Sequence, residues 1–225
     1  MGHRPKNASL DLSAVPLFPL PNVVLFPHVI LPLHIFEERY KQMTADALAG
    51  PRQIAMALLK PGWEKDYYQR PVIEPVVCVG TIVSHEMMPD GKYNFLLQGH
   101  TRAEVVREVK GKPYRVAELK PLAETKVSEK DLSPLRDRLQ AVFDNGTFLA
   151  TDIGRQLRQL LWTPLPTDAI ADLIACRLLD DPALKQTLLE ETDIVRRVDR
   201  IVTAFEAIHP QLSPPPYGMS RPNLN

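Results

Sequence analysis

Short apolar runs separated by turn-forming residues dominate the first half of the chain. The run at residues 54–59 is apolar throughout, which predicts a buried strand. Residues 89–91 (Pro-Asp-Gly) separate the runs 76–88 and 93–98, and this turn signature predicts a hairpin. A second hairpin is predicted around the Lys-Gly-Lys-Pro sequence at residues 110–113. Several short strands at this spacing are typical of a small barrel or sandwich.

Two further elements are predicted within this β region. Five prolines between residues 16 and 32 restrict that stretch to short or edge strands, because proline lacks the N–H that a ladder needs. The best strand candidate there is Val23 to Phe26. Apolar residues at helical spacing predict a helix over residues 35–49, with Phe36 on its apolar face and Gly50 as its C-cap.

The pattern changes near residue 123, beyond which apolar residues recur at the three- and four-residue spacing of helices. Five such segments follow, joined by short connections, and they predict an antiparallel helical bundle. The apolar positions of these helices, including Trp162, are expected to lie in the core. Three segments open on a capping residue or on a cap followed by proline, at Ser133-Pro134, Thr167 and Asp181-Pro182.

These patterns together predict an α+β protein with two parts and two tails. A flexible tail is expected at residues 1–14, a β-barrel subdomain at 15–122, a helical bundle subdomain at 123–209, and a proline-rich flexible tail at 210–225. The tails contain too little apolar sequence to bury a core.

Composition narrows the function classes. Lys+Arg and Asp+Glu each number 27, so the formal net charge is zero and nucleic-acid binding, which usually relies on a basic excess, is disfavoured. No apolar run reaches the roughly 20 residues that span a bilayer, and no signal-peptide core is present, so a cytoplasmic protein without a membrane partner is expected. Cys78 and Cys176 are interpreted as buried, reduced thiols.

The polar residues offer little that suggests catalysis. Ser84 lies beside His85, but adjacent strand residues point to opposite faces, so the two side chains cannot easily pair. His34 and Glu37 could share a face only if the predicted helix began early, and helix capping explains them better than metal binding. We therefore predict no catalytic residues, no metal and no cofactor.

Exposed apolar side chains indicate binding more clearly. Trp63, Tyr67 and Tyr68 fall in a polar loop, and Met87 and Met88 precede the hairpin turn. Aromatic and thioether side chains at such places favour polypeptide binding. The alternative is that they fold back onto the barrel as ordinary core.

Several segments, taken in order, resemble the substrate-binding N-terminal domain of the Lon protease family. The opening PLFPLPNVVLFP at residues 16–27 continues as LPLHIFEERY at residues 31–40. Shorter matches follow at residues 79–82, 89–93, 97–99 and 185–190. The resemblance covers residues 15 to 209.

The resemblance implies a PUA-like β-pseudobarrel followed by a helical bundle, and a role in polypeptide recognition. Lon proteases also carry an ATPase module and a Ser-Lys peptidase domain, but this sequence contains no GxxxxGK[ST] loop, so we expect it not to be an enzyme. The expected partners are polypeptide clients and a separate protease or chaperone. Two alternatives stay open: RNA binding by analogy with PUA-like barrels, and a small-molecule enzyme.

Overall fold

A computed structural model describes residues 11–66, 69–144, 148 and 150–208. Six strands occupy the first half of the described chain: β1 Val15–Leu20, β2 Ile30–Ile35, β3 Gln53–Leu58, β4 Val76–Met87, β5 Tyr93–Val109 and β6 Arg115–Pro121. Helix α1, Glu38–Ala49, separates β2 from β3. The predicted hairpins and the buried strand at residues 54–59 are confirmed.

The strands form one sheet in the order β2-β5-β4-β3-β1-β6, and a further pairing of β5 with β6 closes five of them into a ring. β1 and β3 pair in parallel, while the other neighbours are antiparallel. The 17-residue β5 takes part in both predicted hairpins, because its first part pairs with β4 and β2 and its last part with β6. β2 lies outside the ring, at the edge of the sheet.

Small residues allow the ring to close around a narrow core. The buried cluster inside it combines alanines with branched side chains, from Leu12, Val15, Leu17, Ala55, Ala57, Val77, Val79, Ala103, Ala117 and Leu119. Gly99 serves a similar purpose at one end, because a Cβ there would lie 2.2 Å from the Phe26 carbonyl oxygen. This close approach lets Gly99 exchange backbone hydrogen bonds with His28 and Val29.

Two predictions near the N-terminus are wrong. Val23 to Phe26 is not a strand: Val24, Leu25 and Phe26 are buried, but the segment runs in irregular backbone beside Gly99. The first helix begins at Glu38, not near residue 35, because the chain up to Ile35 pairs with β5 instead. Phe36 therefore lies before the helix and is 60% exposed. The Gly50 C-cap is confirmed by its N–H bond to the Ala47 carbonyl.

Five helices follow in the described residues: α2 Glu129–Phe143, α3 Asp152–Leu161, α4 Thr167–Leu178, α5 Pro182–Glu190 and α6 Ile194–Ile208. The predicted cap at Asp181 is confirmed, since its carboxylate accepts the Ala183 N–H. The predicted start at Ser133-Pro134 is wrong. Ser128 accepts the Asp131 N–H and starts α2 a turn earlier, which leaves Pro134 inside the helix.

The described residues divide into two compact units that do not follow the predicted boundary at residue 122. One unit contains the residues up to Glu124 together with Asp172–Thr192, and the other contains Thr125–Ala171 and the residues from Asp193. Residues 172–192 join the barrel unit through buried polar contacts. The Asp172 carboxylate accepts from Arg102, and the Gln186 amide donates to the Val76 carbonyl.

The second unit has an aromatic and aliphatic core between its helices. The rings of Phe143 and Phe148 lie 4.7 Å apart between centroids, and Phe205 packs against both at 6.1 Å, tilted to the first and edge-on to the second. Arg138 links α2 to α6 through ion pairs with Asp199 and Glu206.

Trp162 does not belong to that core, contrary to the prediction, because it is 65% exposed. It follows the last turn of α3, after the buried Leu157 and Leu161. The Arg136 guanidinium fixes the backbone between α3 and α4 by donating to the carbonyls of residues 161, 163 and 165. In this backbone conformation the Trp162 indole lies in solvent.

The two cysteines differ in burial. Cys78 is fully buried, and that burial raises the pKa of its thiol to about 12. Cys176 is only half-buried, so its predicted burial is incomplete. None of the helices in the described ranges is both long enough and apolar enough to cross a membrane.

Candidate functional site

Trp63 lines an open cleft on the barrel unit, which we call the Trp63 cleft. A short 3-10 helix, Trp63–Asp66, positions the indole, and Gly62 turns the chain into it with a positive φ of 90°. The cleft has a volume of about 390 Å³. Its other lining residues are Pro21, Leu58, Leu59, Pro61, Glu64, Glu74, Asp181, Pro182 and Ala183.

The Trp63 cleft combines apolar walls with carboxylates. Prolines and leucines supply most of its surface, and the indole of Trp63 is half-buried among them. Glu74 faces Lys60 at 3.5 Å, and Asp181 caps α5, so both carboxylates already have partners. Such a cleft can hold an apolar side chain, and among the residues that the structure describes no serine, cysteine or histidine lines it.

The other sequence-predicted binding residues do not gather around Trp63. Tyr67 and Tyr68 lie outside the described residues. Met87 ends β4 and is 64% exposed, while Met88 is half-buried and its sulfur lies 3.6 Å from the Asn94 amide nitrogen. Neither methionine lines the Trp63 cleft.

A second open surface lies across β2, β5 and β4, and strand register defines it. Residues that pair directly across a sheet point to the same face. Leu96 pairs with Pro32 on one side and Ser84 on the other, and Asn94 likewise pairs with His34 and Glu86. These six residues form two parallel rows, a mainly apolar row (Pro32, Leu96 and Ser84) and a polar row (His34, Asn94 and Glu86). Together with Leu33, His85 and Phe95 they line an open groove of about 350 Å³, here named the sheet-face groove.

Large apolar side chains are exposed along this face. Leu96 is 38% exposed, and Ile30, two residues before Pro32 on the same face of β2, is 44% exposed. Phe36 continues the line beyond β2, with its ring 6.1 Å from that of His34. Several exposed apolar side chains on one face are more informative than single ones, because together they mark a surface suited to binding.

The polar row of the sheet-face groove is rich in acceptors. The His34 Nδ1 atom lies 2.7 Å from the Asn94 Oδ1 atom. Because an amide oxygen only accepts, His34 carries its proton on Nδ1 when it is neutral, which leaves Nε2 as an acceptor. Glu86 adds an exposed carboxylate. His34 belongs to a strand, so the helical spacing considered for His34 and Glu37 does not exist.

The structure separates the remaining candidate groups. Register places Ser84 opposite Leu96 and His85 opposite Phe95, so the two side chains point to opposite faces of the sheet, although both residues border the sheet-face groove. In the described ranges, no cluster of three or more histidine, cysteine or carboxylate side chains could hold a metal ion.

Sequence reasoning missed Leu96, Pro32 and Glu86 as surface residues. The segment Ile30 to Ile35 is apolar at both alternating positions, so its pattern does not tell the exposed face from the buried one. Only the pairing with β5 separates the two sets.

The comparisons with known proteins agree with this architecture. Residues 14–205 match the family model described as the ATP-dependent protease La (LON) substrate-binding domain. The Lon protease of Desulfosudis oleivorans is 24% identical over 187 residues, which are 83% of this chain and 23% of that protein. The Lon protease of Trichlorobacter lovleyi is 28% identical over 207 residues, 88% of this chain and 24% of that protein. The chain therefore spans about a quarter of the length of these curated relatives.

Solved structures show the same fold. The N-terminal domain of a Mycobacterium avium complex Lon protease matches with a TM-score of 0.67 and 16% identity, covering 88% of this chain and all (100%) of that one. A Lon N-terminal domain protein from Xanthomonas campestris matches with a TM-score of 0.60 and 20% identity, covering 85% of this chain and 98% of that one. Since the family model covers most of the sequence, the chain belongs to the LON substrate-binding domain family.

Proposed function

We propose that this protein is a polypeptide-recognition module that binds unfolded or exposed apolar protein segments and catalyses no reaction itself. Membership of a substrate-binding family supports binding of protein substrates. The observation that carries the site assignment is the half-buried Trp63 in an open apolar cleft of about 390 Å³. A natural extension is that it presents these segments to a separate protease or chaperone.

The size of the Trp63 cleft suits one or two apolar side chains. Burying one such side chain contributes about 1.5–3 kcal/mol, whereas micromolar affinity requires about 8 kcal/mol. One cleft therefore gives weak, tolerant recognition, and useful affinity needs several contacts along a flexible chain. That behaviour fits clients which share exposed apolar residues and have little sequence in common.

The lining of the Trp63 cleft also favours binding over catalysis. Nucleophilic catalysis needs a nucleophile within hydrogen-bond reach of a base. In the described part of the chain, the ionisable side chains that line this cleft are the carboxylates of Glu64, Glu74 and Asp181. Glu74 is held by Lys60, and Asp181 by the N-terminus of α5. A carboxylate set of this kind can orient a ligand through hydrogen bonds and needs no reaction to explain it.

Fluorescence anisotropy of a labelled, permanently unfolded polypeptide tests the proposal. We expect saturable binding, and we expect Trp63→Ala to weaken it by about tenfold, since a buried aromatic anchor typically contributes more than 1 kcal/mol. Trp162→Ala is the matched control, because Trp162 is 65% exposed and belongs to the second unit. It should leave the affinity unchanged.

Single-stranded RNA serves as a parallel probe. Binding to RNA alone, weakening steeply with salt, would replace polypeptide recognition by RNA binding. Equal affinities of Trp63→Ala and the unsubstituted protein for the unfolded polypeptide would remove the Trp63 cleft from the proposal.

A further inference from the structure

We infer that the sheet-face groove binds an extended polypeptide segment in which a lysine or arginine lies two residues from a large apolar side chain. This inference rests on the proposed polypeptide recognition and adds a sequence preference to it. It concerns a surface distinct from the Trp63 cleft, with which the sheet-face groove shares no lining residue.

The spacing of the two rows suggests an extended ligand. Leu96 and Asn94 are two residues apart on β5, so the apolar row and the polar row are separated by about 6.8 Å. An extended ligand places its own side chains i and i+2 on one face at this same distance. One side chain can then meet the row of Leu96 and Pro32 while the next meets the row of Asn94 and Glu86.

The apolar row is open to solvent, and further apolar side chains are exposed near it: Ile30 lies two residues before Pro32 on β2, and Phe36 lies beyond His34. Ile30 and Leu96 are 44% and 38% exposed, and Phe36 is 60% exposed. A large aliphatic or aromatic side chain laid on this row would remove apolar surface on both partners from water, which is the main favourable term in association.

The charge of the polar row favours a cation. The Glu86 side chain is exposed. Within the part of the chain that the structure describes, no lysine, arginine or histidine nitrogen forms an ion pair with it. Lys92, the lysine nearest to Glu86 in sequence, already pairs with Asp90 at 2.6 Å.

The neighbours of Glu86 supply acceptors as well. His34 uses its Nδ1 proton on the Asn94 oxygen, and the Asn94 amide nitrogen faces the Met88 sulfur. What this row offers a ligand is therefore a carboxylate and an imidazole acceptor. A lysine ammonium or an arginine guanidinium, which only donate, complements them.

The sequence of the edge strand favours binding on the face of the sheet over strand addition at its edge. β2 is the terminal strand, and a peptide could in principle add to its open edge. Pro32 lies in the middle of β2, and prolines in edge strands generally have their missing N–H on the open side. Strand addition is thus interrupted at the position where Leu96 and Pro32 offer apolar contact.

Labelled peptides titrated into the 225-residue protein test the inference. One host peptide carries Leu-Thr-Lys, a second carries Leu-Thr-Gln, and a third carries Leu-Thr-Thr-Lys, which moves the lysine to the opposite face of an extended chain. We expect the first to bind about threefold to fivefold more tightly than the other two at low salt, the range of an exposed ion pair. High salt should reduce the preference.

Substitutions locate the effect. Glu86→Gln should abolish the preference for lysine and leave the affinity for the glutamine peptide unchanged. Leu96→Asn should weaken the binding of all three peptides. Glu104→Gln is the matched control, because Glu104 is also an exposed carboxylate on the same sheet, and it should change nothing.

The outcomes separate this inference from the proposed function. If the unfolded polypeptide binds through Trp63 but the three peptides bind equally, or Glu86→Gln keeps the preference, the inference is wrong and the proposed function stands. If neither polypeptide nor peptides bind, both fail. A dimer in sedimentation that Leu96→Asn dissociates would assign the face to a second copy of the chain and would also overturn the inference.

Discussion

Asp46 illustrates how single residues connect the elements of the barrel unit. This carboxylate on α1 accepts from the Lys112 Nζ atom at 2.8 Å and from the Tyr114 hydroxyl at 2.6 Å. The hydrogen bond from Lys112, followed by that from Tyr114, lowers the pKa of Asp46 from 3.8 to about 2. Burial of the Tyr114 phenol, with its bond to Asp46, raises the pKa of Tyr114.

The lowered pKa of Asp46 predicts a defined dependence of stability on pH. Because the folded state holds the carboxylate more strongly than the unfolded state, its contribution is present above pH 3.8 and is lost as the pH falls towards about 2. Asp46→Asn should lower the free energy of unfolding at pH 7 by about 0.5–1.5 kcal/mol. Urea unfolding at pH 7, 4 and 2.5 measures this.

The difference between the protein and Asp46→Asn should therefore shrink below pH 4. Asp137→Asn is the control, since Asp137 is an exposed carboxylate on α2. A difference that stays constant down to pH 2.5 would contradict the assigned role of Asp46.

At the scale of elements, one buried ion pair joins β5 to α4. The Arg102 Nη2 atom lies 2.6 Å from the Asp172 carboxylate, and both side chains are 1% exposed. A second carboxylate, Glu124, lies 3.1 Å from Nη1 and is 32% exposed. Burial alone would lower the pKa of Arg102, but Asp172 and Glu124 outweigh it, and the net effect raises that pKa.

Removing one member of this pair should be more damaging than replacing both. Asp172→Asn leaves the buried guanidinium without its closest charge, so we expect a loss of about 3–5 kcal/mol in the free energy of unfolding. Arg102→Met with Asp172→Leu should lose much less than the sum of the single variants, since apolar residues of similar size can replace a buried pair. Denaturant unfolding of the three variants checks this.

Glu124→Gln provides the comparison within the same cluster. Its carboxylate is partly exposed, so solvent screens its contribution and we expect a loss below about 1 kcal/mol. If Asp172→Asn costs no more than Glu124→Gln, the ion pair does not hold α4 in the way the contacts suggest.

At the scale of the whole molecule, the barrel unit is discontinuous in sequence. Residues 172–192 belong with the residues up to Glu124, and they supply Asp172 to Arg102 and the Gln186 amide to the Val76 carbonyl. Without residues 172–192, the buried Arg102 guanidinium would lack Asp172 and the Val76 carbonyl would lack the Gln186 amide.

This discontinuity predicts that a fragment ending at residue 124 is much less stable than one ending at residue 192. The shorter fragment retains all six strands but lacks the helical segment that completes the unit. Thermal unfolding followed by circular dichroism should show a broad or strongly lowered transition for it. Equal melting temperatures for the two fragments would mean that residues 172–192 are not needed by the barrel.

Local chemistry explains which predictions from the sequence succeeded. The Pro-Asp-Gly turn, the Gly50 C-cap and the Asp181 cap each act within a few residues, and each is present as predicted. The errors arose where distant contacts override local preference. Phe36 has helical spacing but follows a strand that pairs with β5, and Trp162 continues an apolar stripe but leaves the core where α3 ends.

The sequence by itself determined the α+β class, the two hairpins, the family and Trp63 as a surface candidate, because these depend on short motifs and on periodicity. Only the tertiary structure decided the closed ring, the return of residues 172–192 and the sheet-face groove. That groove joins His34, Asn94 and Glu86 through strand register. Register depends on which distant strands pair, and a shift by one residue would turn every one of these side chains to the other face.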